Sequence, residues 1–106
     1  MDERPKAPAQ QESLEMLREE MDQLNRQLAQ LFEARMMLSA RIAHAKGQTG
    51  KPIRDAAREE LILTQMADLV PQYADGVRAL FQLLFSLSRK EQTRINTMYI
   101  KANADE

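Results

Sequence analysis

Cysteine and tryptophan are absent from this chain, histidine occurs once, glycine three times and proline four times. Without cysteine there is no disulfide framework and no thiolate chemistry. A lone histidine, His44, cannot build a histidine-based metal centre. Aromatic residues make up only 5% of the chain, and no apolar run approaches the roughly 18 residues of a membrane span. The opening residues, Met1-Asp2-Glu3-Arg4-Pro5, carry no apolar core of a secretory signal, so the expectation is a soluble, cytoplasmic protein. An excess of charge of one sign is missing too. The formal net charge is -1 and the isoelectric point near 5.9, which argues against general nucleic-acid binding.

What is present favours helix. Leu, Ala, Met, Gln, Glu and Arg dominate, all of them good helix formers. With 43% hydrophobic and 29% charged residues, the composition is that of a globular protein, and 106 residues set one domain. A chain this short buries a modest core, so oligomerisation would help it.

Residues 1–11, with Pro5, Pro8 and little apolar mass, read as a flexible tail. The pattern then changes. Leu14, Leu17, Met21, Leu24, Leu28, Leu31, Arg35, Leu38, Ile42 and Ala45 alternate at spacings of three and four, a heptad seam. This predicts one helix from about Gln11 to Lys46, roughly 50 Å long. A partner chain is the simplest cover for so long a seam. Gly47 to Pro52 is a breaker cluster. Asp55 starts a second helix that runs to about Val70, where Pro71 stops it. A third helix spans about Tyr73 or Asp75 to Lys101, with Val77, Leu80, Leu84, Ser88, Gln92 (or Glu91), Ile95 and Met98 or Tyr99 as its stripe. The helical domain is thus residues 12–101, with 102–106 a frayed end. The fold class is all-α: a long, a short and a medium helix.

The informative residues are polar ones in apolar places. Arg35 occupies a seam position, and a buried cation costs several kcal/mol unless paired. Read alone, it is a register-setting residue satisfied by a nearby acid. Arg18 and Lys46 each fall one place after a seam position, on one flank of the long helix. Ser88 and Gln92 sit at i, i+4 inside the stripe of the third helix and are neighbours there. On the second helix Asp55, Glu59, Ile62, Met66 and Leu69 form one stripe with an acidic first turn, and Arg58 adjoins Glu59. Asp55 by itself is explained by its place at a helix start.

Together these residues supply cations, two carboxylates, a hydroxyl and an amide, but no nucleophile–base pair. Gly47-Gln48-Thr49-Gly50 is too short and wrongly placed for a phosphate loop. The inventory suits a small polyanion bearing hydroxyls. Arg18 and Arg35 would lie roughly 25 Å apart along a straight helix, beyond the reach of one small ligand. Arg35 and Lys46, roughly 16 Å apart, can converge. If Arg18 serves the same site it must come from another subunit, which a two-fold dimer permits.

The ordered set resembles the all-helical AroQ class of chorismate mutases. The resemblance covers nearly all of residues 12–96 and runs through Leu17-Arg18, Arg35, Ala45-Lys46, Lys51-Pro52-Ile53-Arg54-Asp55-x-x-Arg58-Glu59, Leu80-Phe81-Gln82-Leu83 and Ser88-x-x-x-Gln92. It implies a three-helix protomer intertwined as a homodimer, with no cofactor and no metal. It also implies an isomerase that converts chorismate to prephenate in phenylalanine and tyrosine biosynthesis. On that resemblance Arg18 crosses from the partner and, with Arg35, binds carboxylates. Lys46 and Gln92 donate to the breaking ether oxygen, Glu59 holds the ring hydroxyl near Asp55, and Arg58 and Ser88 complete the carboxylate contacts. Two other readings stand beside it. One is an isochorismate-pyruvate lyase of the same fold, disfavoured by the Arg54-Asp55-x-x-Arg58-Glu59 run. The other is a non-catalytic helical dimerisation module, which leaves Arg35, Ser88 and Gln92 unexplained. His44 is expected to meet helix-terminal carbonyls or solvent, the seven methionines to fill the core, and Arg89, Lys90 and Arg94 to form a solvated face.

Overall fold

A computed structural model describes residues 12–104, and among them it is all-α with no strand. Helix α1 spans Leu14–Thr49, α2 spans Ala56–Leu69, and α3 spans Ala74–Ala104, with a 3₁₀ turn at Pro71–Tyr73 between the last two. The expected tail over 1–11 lies outside the described residues, as do the last two positions. No helix among the described residues is long and apolar enough to cross a membrane.

Each helix boundary has a local cause. Ser13 Oγ accepts from the backbone N–H of Met16 at 3.1 Å, so α1 starts at a serine cap rather than at Gln11. At its other end α1 runs through Gly47 and stops three residues later than Lys46. The breaker is Gly50, which has φ +71°, and the N–H of Lys51 reaches back to the Lys46 carbonyl at 3.1 Å. That six-residue closure around a left-handed glycine is a Schellman cap. Asp55 caps α2 as expected, accepting from the Arg58 N–H at 3.0 Å. Pro71 then opens the 3₁₀ turn, where its missing N–H is harmless. Helix α3 continues to Ala104, past the anticipated Lys101.

The chain divides into two units, Met1–Glu33 and Ala34–Glu106. In the first, every described residue is exposed, and the seam residues Leu14, Leu17, Met21, Leu24, Leu28 and Leu31 range from 37% to 66% exposure. A heptad stripe with so much apolar surface uncovered has no packing partner within its own unit.

The second unit holds the core. Its buried apolar residues are Ala43, Leu63, Ala67 and Phe85, joined by buried Ser39, Ser88 and Gln92. On α1 and α2 the inward faces are turned by about one residue from the anticipated stripes, whereas on α3 the expected Ser88 and Gln92 are buried. On α1 the buried positions are Ser39 and Ala43, while Ala45 is exposed. On α2 they are Leu63 and Ala67, and Leu69 is 72% exposed. On α3 Phe85 joins Ser88 and Gln92, whereas Leu80 is half exposed. Small residues at 39 and 43 break the seam logic, which ranks positions by apolar size.

Candidate active site

In the second unit all three helices and the loop before α2 line one cavity of about 460 Å³. Helix α1 supplies Arg35, Ser39, Ile42 and Lys46. These positions follow spacings of four, three and four, so one helical face carries them all. The loop and the first turn of α2 supply Ile53, Asp55, Arg58 and Glu59, and α3 supplies Phe85, Ser88, Arg89 and Gln92. Seven of the eight polar residues singled out from the sequence therefore share this cavity. Arg18 belongs to the first unit and is not among the lining residues.

Arg35 is partly buried, and that burial pushes its guanidinium pKa down from its ordinary value. Arginine nonetheless stays protonated in proteins, so the charge must be met by partners. One is Ser88 Oγ, which accepts from Arg35 Nη1 at 2.5 Å. The others are the rings of Phe81 and Phe85, whose centroids lie 6.0 and 5.7 Å from the guanidinium carbon. The sequence pattern suggested an acid as the partner of Arg35; the structure supplies a hydroxyl and two ring faces instead. With no carboxylate paired to it among the described residues, the cation keeps its capacity for an anionic ligand.

Lys46 Nζ donates to the Ile53 carbonyl at 2.5 Å. One of its three protons is thus spent on orienting the side chain, and two remain. Gln92 is 7% exposed, and its Oε1 is buried with no hydrogen-bond partner among the described residues. A buried unpaired acceptor is rare and costs about 1–3 kcal/mol. Asp55 is exposed and committed to its cap. Glu59 accepts from Arg89 Nη1 at 2.6 Å through Oε2, while among the described residues its Oε1 has only a 4.0 Å ion pair with the largely exposed Arg54.

Two polar lining residues, together with the apolar Phe85, escaped the sequence reading. Arg89 is 31% exposed at its side chain and pairs with Glu59, so it does not belong to the solvated face with Lys90 and Arg94. The available signal was its place immediately after Ser88, on the flank of the same stripe. Ser39, 4% exposed, was recoverable from its i, i+4 relation to Arg35. His44 is exposed, as its solvent alternative anticipates; its ring packs against Tyr99, with centroids 5.0 Å apart, and contacts Gln48 Nε2 at 3.1 Å.

Chemically the cavity offers fixed hydrogen-bond donors of positive or neutral character on one side, and a carboxylate oriented by an arginine on another. Such an array can bind a small anion in one conformation and stabilise negative charge developing on an oxygen. No curated protein and no solved structure gives a significant match to the chain. Residues 17–93 match the family model described as Chorismate mutase type II.

Proposed function

The chain belongs to the chorismate mutase type II family, and from that premise we propose that this cavity catalyses the intramolecular rearrangement of chorismate to prephenate. The observation that carries the reading is the convergence of Arg35, Lys46, Asp55, Arg58, Glu59, Ser88 and Gln92 on one cavity in a chain of that family. The reaction is unimolecular and pericyclic. It needs no nucleophile and no proton transfer, which agrees with a cavity built from positioning and charge-stabilising groups.

The contacts support the following roles. Arg35, held by Ser88 and the two phenyl rings, receives a substrate carboxylate. Arg58 and Ser88 complete the carboxylate contacts. Lys46, oriented by the Ile53 carbonyl, and the amide of Gln92 donate to the ether oxygen as its bond breaks. Glu59 accepts from the ring hydroxyl, next to the capped helix start at Asp55. Fixing the chair-like, diaxial conformer removes the entropic part of the barrier, and the two donors lower the remainder. Losing one such donor costs on the order of 100- to 1000-fold in rate.

The working form is a homodimer in which the exposed α1 seam is covered and Arg18 of the partner completes the anion contacts. The uncovered apolar stripe from Leu14 to Leu31 supports this arrangement.

Two measurements test the proposal. Purified protein should consume chorismate and form prephenate, and Lys46→Ala or Gln92→Ala should nearly abolish turnover with the helical fold intact. Pyruvate release from isochorismate in place of prephenate formation would make the chain a lyase, and normal turnover in both variants would refute the assigned roles. Mixing Arg18→Ala with Lys46→Ala subunits tests the dimer. If Arg18 acts across the interface, each mixed dimer regains one intact site, and random mixing restores about a quarter of wild-type activity. If it acts within its own chain, nothing is restored.

A further inference from the structure

We propose that Arg89 is a positioning residue that splits the two oxygens of Glu59, holding one and presenting the other to the substrate's ring hydroxyl. This rests on the mutase reading and extends it to a residue outside the set that carries it. Arg89 Nη1 donates to Glu59 Oε2 at 2.6 Å, linking α3 to the first turn of α2 within the wall of the cavity. Both side chains are largely shielded, at 31% and 19% exposure, so the pair is not an ordinary surface contact. Among the described residues Glu59 Oε1 has only the 4.0 Å approach of Arg54, whose side chain is 67% exposed. One oxygen is thus engaged by a short charge-assisted bond and the other keeps its lone pairs.

An unheld glutamate has three rotatable bonds and can turn either oxygen, or neither, toward a ligand. Fixing one oxygen from across the cavity fixes the carboxylate plane, and with it the direction from which a hydroxyl proton is accepted. The contribution is orientation, and a misplacement of about 1 Å at such a group costs up to about 100-fold in rate. Because Arg89 acts through Glu59, its effect should exist only when both the carboxylate and the substrate hydroxyl are present.

The test uses the full chain and two substrates, chorismate and the analogue lacking the ring hydroxyl. Arg89→Met keeps an unbranched apolar stem in the wall and removes the charge. It should lower kcat/KM for chorismate about 10- to 100-fold, and for the analogue less than about 3-fold. Arg89→Lys should recover part of the loss, since the observed contact uses a single N–H. In a Glu59→Ala background, Arg89→Met should add less than about 2-fold. Equal losses on both substrates, or full additivity with Glu59→Ala, would assign Arg89 a purely structural role and overturn the proposal. Unchanged kcat/KM in Arg89→Met would overturn it too. A wild-type chain inert on chorismate would overturn the mutase reading itself and this inference with it, a result distinct from an active wild type with an indifferent Arg89.

Discussion

Replacing Gln92 by methionine should raise stability and destroy activity at once. The two effects come from the two ends of one amide. Gln92 Oε1 is buried without a partner among the described residues, in a residue 7% exposed. An acceptor in that state forfeits its bond to water and gains nothing in return, a penalty of about 1–3 kcal/mol. Methionine matches glutamine in length and flexibility and carries no comparable polar atom, so the penalty disappears without leaving a hole. Recovering even 1 kcal/mol raises Tm by about 4–8 °C for a helical unit of this size. On the proposed mechanism the same substitution removes a donor to the breaking ether bond and should cost on the order of 100- to 1000-fold in kcat.

Ser88→Ala is the control. It lies one helical turn away on the same buried face, 7% exposed, but its oxygen is satisfied by Arg35. Removing it leaves a shielded guanidinium short of an acceptor, so stability should fall by about 1–3 kcal/mol. The two substitutions therefore move Tm in opposite directions although both replace a buried polar residue by an apolar one. Thermal melts followed by circular dichroism give the signs, and spectrophotometric loss of chorismate gives the rates. A Gln92→Met chain that melts lower than wild type would mean that the amide is fully bonded, and the reasoning from the orphaned oxygen would fail.

Substitutions at four further positions probe the supporting structure. Gly47→Ala should stabilise α1 by about 0.5–1 kcal/mol, because Gly47 lies inside the helix and an added Cβ would meet Asn96 Oδ1 at an ordinary 3.8 Å; Gly50→Ala should instead destabilise by about 1–2 kcal/mol, since its φ of +71° suits only glycine, and Tm orders the pair. Asp55→Ala should lose about 1 kcal/mol of stability with the cap while Asp55→Asn retains it, so urea midpoints separate the cap from the charge. At Glu91, the hydrogen bond from Arg94 holds the carboxyl below its ordinary value of 4.5 despite the small opposing effect of burial. A depressed folded-state pKa contributes stability above the unfolded value and loses it as pH falls through the folded one. The Tm difference between wild type and Glu91→Gln should therefore be present above pH 4.5 and vanish in stronger acid, and a constant difference would contradict the pairing.

Helix order and the site's membership were legible in the sequence for different reasons. The three helices follow from punctuation: Ser13, Gly50, Asp55 and Pro71 act through their own backbone chemistry, which needs no tertiary context. Where that punctuation was misjudged, the cause was equally local. Gly47 was counted as a breaker, yet a glycine without positive φ is only a weak helix former, and Gly50 alone takes the left-handed turn. Arg35, Ser88 and Gln92 were legible as anomalies because a polar group on an apolar stripe needs a reason to be there.

What sequence could not rank was the face itself. A seam weighted by apolar size runs through Leu38, Ile42 and Ala45, but the helix turns Ser39 and Ala43 to the core and leaves Leu38 and Ile42 about half exposed. The same weighting hid Arg89, since a cation beside Lys90 looks like one more solvated charge until Glu59 is placed opposite it. Periodicity reports which residues share a side of one helix, whereas an ion pair between α2 and α3 depends on the angle at which two helices meet. The residues proposed to act on a ligand were thus visible from their own helix. The one proposed to orient Glu59 was not, and for that reason the two-substrate comparison on Arg89 is a sharper test of this cavity than another substitution at Lys46 or Gln92.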